Sequence, residues 1–403
     1  MPTLHRLTGA AYGIHFADQI ALVAVPLVAA LVFDASAHVI GILVACQSMA
    51  HLLGSLPFGI LVDRHQLRTL VILAALISLL GFSGAALAVF CNSLIWFGLA
   101  ITTAGFGVVL FGLAALSILP LAVGSGSLTK ANSALEIPRA VNSFAVPLGL
   151  GVVISDVAGW AVFCAACVGS LIALRQASAL PRFEVAPKRD ISVLPRILEG
   201  GRYVLRHRLL RAISLCAVFW NLAFSALLVV LVPVIQDVYR LAPGSFGIAL
   251  SAFGLSAVLG SWLAGRIANR IAPSVILLFG PGCSVLAATG LLMLGQDTSQ
   301  IWLYGCFCLL GFGPSMWLVA QNSVRQLVTP AAMLGRVNAV IQTAVYGVRP
   351  LGALAGGVVA GHFGLKAGLM LVVTAYGLSF LVSIFSGLRS VGSYRALKPL
   401  RVE

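Results

Sequence analysis

"FGILVDRHQLRTL" (Phe58–Leu70) packs Asp63, Arg64, His65 and Arg68 into a gap between two long runs that hold almost no charge. "LAGRIANRIAPSVIL" (Leu263–Leu277) repeats the device, because Gly265 − Gly59, Asn269 − Asp63 and Arg270 − Arg64 all give 206. A cluster of charge that punctuates apolar runs, and returns at one fixed offset, points to a duplicated chain built on membrane-crossing segments. Composition says the same: charged residues are 9% of the 403 and the hydrophobic set is 60%. A water-facing domain needs roughly a quarter of its residues charged.

One helix crosses the apolar core of a bilayer with about 20 residues. Runs of that kind fall at 8–33, 37–61, 69–90, 93–121, 133–156, 157–175, 211–236, 243–267, 274–295, 301–326, 337–361 and 364–388. The short alternating segments of a transmembrane β-barrel are absent. The expected fold is therefore all-α and polytopic, with twelve transmembrane helices in two six-helix bundles. The first run is full length and reads as a retained span rather than a cleaved signal.

The net charge of +14 is a matter of topology rather than of a polyanion site. With twelve spans the even-numbered loops, Arg6 and the tail share one compartment, and they hold nearly every loop cation, from Arg64 and Arg68 to Arg395, Lys398 and Arg401. The other side holds only Arg240 and Lys366. That asymmetry places both termini in the cytoplasm, and nucleic acid is not an expected partner. Eight cysteines lie mostly inside the runs; "CAAC" (Cys164–Cys167) sits in an apolar helix and reads as small buried thiols.

The longest polar interruption, 176–210, divides the chain into an N-terminal bundle (1–175) and a C-terminal bundle with a basic tail (211–403). Its second part sets Ile191, Leu194, Leu198 and Leu205 among Arg196, Arg202, Arg206 and Arg208, the pattern of a basic amphipathic helix on the inner leaflet; a solvated linker is the alternative. The offset returns in "LTKANSALEIPRAVNSFAVPLG" (Leu128–Gly149) and "LGRVNAVIQTAVYGVRPLG" (Leu334–Gly352), where Asn338 − Asn132 is 206 and Pro350 − Pro147 is 203. Parallel six-helix halves are one known transporter architecture.

"GILVDRHQLR" (Gly59–Arg68) resembles the loop signature of the major facilitator superfamily: a glycine, an aspartate four residues on, then arginine and further basic residues. "RYVLRHRLLRAI" (Arg202–Ile213) and "LGRVNAVIQTAVYGVRPLGALAGG" (Leu334–Gly357) resemble a branch of bacterial drug and siderophore efflux permeases. Gln66 and Leu67 depart from the signature, Asn269 replaces its second aspartate, and "AVPLGLG" (Ala145–Gly151) matches the branch's antiporter motif in part. The resemblance implies two bundles around a central cavity, with spans 3, 6, 9 and 12 as outer supports. It implies alternating access in the bacterial inner membrane, and export of a small amphipathic solute driven by inward proton flow; import or facilitated passage of a metabolite is the rival.

The resemblance also sets Asp63 against the start of span 11. Unpaired amides at a helix start carry about half a positive charge, and a carboxylate beside them gains roughly 0.3–1 kcal/mol. Gly59, Asp63, Arg64 and Arg68, with Gly265, Asn269 and Arg270, are therefore read as a gate latch; the bland alternative is that the charges only set topology.

Spans 3, 6, 9 and 12 carry no acid or amide side chain, so those helices can face lipid. Asp18 lies deep in span 1, where a charge costs at least ~2.5 kcal/mol. Burial favours its protonated form, from which a proton can be exchanged; a structural pair with Arg139 or Arg349, and a substrate contact, are the other readings. Glu136 and Arg139, three apart on span 5, can neutralise each other. Arg349 shows no obvious partner on its own helix and reads either as an anion holder or as an answer to Asp18.

These four are the proton-coupling candidates. His15, Gln19, Gln47, His51, Asn142, Asn221, Gln321, Asn322, Gln342 and Tyr346 are cavity-lining candidates, with interhelical ties the alternative for the amides and a backbone bond for each histidine. Thr102 and Thr103 add polarity to span 4. The expected partners are a small-molecule substrate, protons and the bilayer, with the chain acting as a monomer. No catalytic constellation, metal-ligand spacing or phosphate loop is present, so neither an enzyme nor a cofactor is expected.

Overall fold

The computed structural model describes residues 2–122, 128–153, 158–183, 193–267, 270–297, 299–330, 333–394 and 397; of these, the side chains of 2, 56, 60, 63, 120, 128–133 and 193–197 are not described. The first six helices are α1 (Pro2–Leu31), α2 (Ala37–Arg64), α3 (Leu67–Phe90), α4 (Leu94–Ala122), α5 (Leu128–Val153) and α6 (Gly159–Ser178). The short α7 (Val193–Arg206) follows. The last six are α8 (Arg208–Pro233), α9 (Gly244–Ile267), α10 (Pro273–Met293), α11 (Gln300–Val328), α12 (Leu334–Phe363) and α13 (Leu365–Phe385). A π-helical turn, Val234–Val238, extends α8 past Pro233, and a tight turn, Gly387–Ser390, follows α13.

Twelve of these helices, all but α7, correspond in order to the twelve apolar runs, and no strand occurs among the described residues. Eleven are long and apolar enough to cross a membrane; α5 is long enough, with 26 residues, but Glu136, Arg139 and Asn142 make it too polar. Several ends move outward from the apolar edges. α1 begins at Pro2, and α2 runs on to Arg64, because amphipathic turns continue a helix after its apolar run has stopped. The final span instead stops at Phe385, short of 388.

The chain divides into two compact units: Met1–Arg189 with Ala242–Ser251, and Asp190–Leu241 with Ala252–Glu403. In the first unit α1 packs on α5 and α6, and α3 on α4 and α6. In the second, α8 packs on α12 and α13, and α10 on α11 and α13. The two pairings have the same order, so the repeat read in the sequence is also a repeat of packing within each unit.

Each unit has its own core. Leu7, Ile14, Leu70, Phe111, Ile118 and Ala173 are buried together in the first; Tyr203, Leu210, Ile276, Val324 and Ile341 are buried together in the second. In a bilayer the surrounding chains are as apolar as leucine, so close van der Waals approach has to hold such helices together. Gly352 and Gly356 of α12 supply it against α8: a Cβ at Gly356 would lie 2.9 Å from Ala226 Cα, and one at Gly352 would run into the Leu222 carbonyl. Gly151, in the partial antiporter motif, does the same in the first unit, where a Cβ would come within 2.8 Å of the Gly244 carbonyl oxygen.

Large apolar side chains are exposed on the four helices expected to face lipid, including Leu80 and Leu87 on α3, Ile172 on α6, Leu286 on α10 and Phe385 on α13. They are also exposed on α4, α9 and α11, through Trp96, Leu259 and Trp302. Exposed apolar surface is thus wider than those four helices, because a helix that carries polar residues on one side can still present an apolar back.

Candidate transport site

Polar side chains that fall close to the middle of long helices include His15 and Asp18 in the 30-residue α1, His51 in α2, Arg139 and Asn142 in α5, Asn221 in α8 and Arg349 in the 30-residue α12. Mid-helix is the depth at which a polar group is most expensive in a bilayer, and where transporters keep their binding groups.

In the second unit a clasp forms there. Arg349 Nε donates to Asn221 Oδ1 at 3.0 Å, and the Ser225 hydroxyl donates to the Arg349 carbonyl at 2.7 Å. Asn221 Nδ2 donates in turn to the Ala217 carbonyl at 2.9 Å. The guanidinium lies over the Tyr346 ring, 5.0 Å from its centroid. This corrects the expectation that Arg349 lacks a partner on its own helix: a tyrosine three residues earlier stands on the same face, and a ring face attracts a cation. Gln342, a further turn back, is exposed on that side of α12.

In the first unit the equivalent helices are tied at similar depth by a longer bond, Asn142 Nδ2 to the Tyr12 carbonyl at 3.2 Å. Glu136 and Arg139 pair at 3.9 Å, both largely exposed, as their spacing implies. Arg139 also bears electrostatically on His15, whose ring stands edge-on to Phe111 at 6.4 Å. Asp18, Gln19, Gln47 and His51 are all half-buried, and Asp18 and His51 have partners of their own. Thr102 and Thr103 donate to Gly98 and Leu99 of their own helix, both at 2.8 Å, so their hydroxyls are satisfied locally.

On α11, Gln321 Nε2 donates to Asn322 Oδ1 at 2.6 Å and Arg325 Nη2 donates to the same oxygen at 2.8 Å. Gln321 is buried, so this amide is part of a polar chain along its helix more than a lining group. Sequence reading missed Arg325 in that chain, although its spacing of three from Asn322 was available. It also missed the stacked Trp220 and Phe224 of α8, 5.1 Å apart, with Phe253 of α9 stacked beyond at 5.3 Å.

Of the residues read as a latch, the structure describes the side chains of Arg64, Arg68 and Arg270. Arg68 Nη2 donates to the Ser178 carbonyl at 2.7 Å and Arg6 donates to the Ala179 carbonyl, so two arginines close the C-terminal end of α6, where unpaired carbonyls carry negative charge. Arg64 ends α2 and is exposed; Arg270 is exposed after α9. A Cβ at Gly59 or Gly265 would meet nothing within 4 Å, so neither glycine is required by packing as it stands. The Asp63 side chain and Asn269 lie outside the described residues, as does 184–192 of the expected linker helix.

A profile of the Major Facilitator Superfamily matches residues 7–353. The chain belongs to the major facilitator superfamily. It is 28% identical over 306 residues to the enterobactin exporter EntS of Escherichia coli O127:H6 (strain E2348/69 / EPEC), covering 74% of this chain and 71% of the relative. The same exporter from Shigella boydii serotype 4 (strain Sb227) is 28% identical over 310 residues, covering 75% and 72%. The fold is that of the nucleoside transporter NupG, with a TM-score of 0.77 at 12% identity over 95% of this chain and 98% of that one. The chain is thus a multi-pass membrane transporter and not an enzyme. Among the described residues no group of three His, Cys, Asp or Glu side chains could hold a metal ion.

Proposed function

We propose that this protein is a proton-coupled exporter in the bacterial inner membrane, with both termini cytoplasmic, that expels a small amphipathic compound of the drug or siderophore kind by alternating access. The similarity to enterobactin exporters over about three quarters of the chain carries the direction of transport. Ionisable groups at mid-helix depth support the coupling. Asp18, half-buried near the centre of α1, is the proton carrier in this reading, since an ionised carboxylate at that depth is expensive and exchange with an aqueous path relieves it. Arg349, oriented by Asn221 and Tyr346, is the fixed positive charge of the second unit. Glu136 and Arg139 form a locally neutral pair that supports the protein more than it moves protons. Asp63, with Arg64, is the closing contact of the cytoplasmic gate.

The test is accumulation of an amphipathic dye or a siderophore in everted membrane vesicles under an inside-acid pH gradient. Uptake should collapse with a protonophore and be absent in Asp18→Asn at normal membrane levels. Transport that ignores the gradient, or coupling retained by Asp18→Asn, would remove the assignment.

A further inference from the structure

The helix α7 has two faces, and among the described residues only one of them packs on the protein. Gly200, Tyr203 and Val204 are buried. The Tyr203 hydroxyl donates to the Val328 carbonyl at the end of α11 at 2.8 Å, and a Cβ at Gly200 would lie 2.9 Å from the Arg336 backbone of α12. Glu199, on the flank, accepts from Arg336 Nη1 at 2.6 Å. At 100° per residue, Leu198, Arg202, Leu205 and Arg206 then share the opposite face. Leu198 is 64% exposed and Leu205 65%, with both arginines exposed beside them.

The position of α7 limits what can cover that face. His207 alone separates α7 from α8, which begins a span at Arg208, so the C-terminal end of α7 stands at the boundary between water and lipid. Arg208 and Arg211, exposed on the first turn of α8, extend the positive edge. The one acid among the described residues of α7, Glu199, is spent on Arg336.

We infer that the outer face of α7 is a binding site for anionic phospholipid, with Leu198 and Leu205 seated among acyl chains and Arg202 and Arg206 on headgroup phosphates. Two leucines between arginines give the apolar floor and cationic rim that interfacial helices use, and each cation near an anionic surface adds attraction. The bilayer is the occupant because the adjoining span already holds this end of the helix at its surface.

Hydrogen exchange of the full-length protein in nanodiscs tests the assignment and needs no transport activity. Amides of 198–206 should exchange about tenfold more slowly in discs with a third phosphatidylglycerol than in pure phosphatidylcholine. Arg202→Gln/Arg206→Gln should remove that difference, and Leu198→Gln/Leu205→Gln should speed exchange in both discs. Unchanged protection of the α8 core in each variant shows that the fold is retained. Equal exchange in the two lipids would overturn the proposal. So would protection that follows the number of protein copies per disc rather than lipid charge, which would assign the face to a second copy.

Discussion

Replacing Asn221 by leucine, nearly its size, removes the acceptor that Arg349 Nε uses at 3.0 Å without opening a cavity. A hydrogen bond to a charged group contributes about 1.5–3 kcal/mol in water-soluble proteins, whereas interhelical bonds in membranes average about 0.6 and reach about 1.7 kcal/mol. The donor here is a guanidinium and Asn221 is buried, so the upper end of the membrane range applies. The Ala217 carbonyl that Asn221 Nδ2 also contacts lies one turn back on the same helix and keeps its backbone partner, so it adds little. The ring of Tyr346 under Arg349 is untouched by the change and cancels in a double-mutant cycle.

Asn221→Leu, Arg349→Gln and the double variant should therefore show a coupling of about 1.5 kcal/mol, roughly tenfold in the unfolding equilibrium. Equilibrium unfolding by sodium dodecyl sulfate in mixed micelles measures it. A coupling under about 0.5 kcal/mol, the level at which separate sites simply add, would refute the clasp as an energetic unit.

Asp63→Asn should lower transport while leaving membrane insertion unchanged, as vesicle uptake and immunoblots can compare; wild-type transport would return Asp63 to a topological role. His207 caps α8 with Nδ1 accepting from the Leu210 amide at 3.5 Å, and burial holds its imidazole below the ordinary 6.5. The neutral ring is the capping form, so the cap is fully present above pH 6.5 and is lost as pH falls through the depressed value; protection factors at 207–212, corrected for the intrinsic exchange rate, should fall on acidification, and His207→Ala should lose that fall. Gly356→Val should destabilise the α8–α12 contact by about 1–3 kcal/mol in the same micelle assay, because its Cβ would meet Ala226 Cα at 2.9 Å; wild-type stability would show that the two helices yield freely.

Apolar runs of bilayer length were legible because each transmembrane helix must satisfy its own backbone bonds within one continuous segment. Spacing alone was enough for Glu136 and Arg139, which pair on a single helix. It did not show that Arg68 holds the end of α6 a hundred and ten residues away, since a long cation finds its acceptor only once the helices are packed. It also failed for Arg349: Tyr346 was chosen as a lining residue, but nothing in the chain order says that the guanidinium will lie across its ring. For α7 the leucines and arginines were visible, whereas the residues that turn inward, Gly200, Tyr203 and Val204, become distinct only when α11 and α12 are beside them.

By itself the sequence determined that this chain lives in a bilayer as a duplicated set of long helices, and which of them carry polar groups at depth, because those properties depend on local length, periodicity and charge. Only tertiary structure decided which polar groups meet, which arginines serve helix ends and which face of α7 stays outside. Those outcomes depend on distances between segments far apart in the chain, and side chains of one type can settle them in several ways.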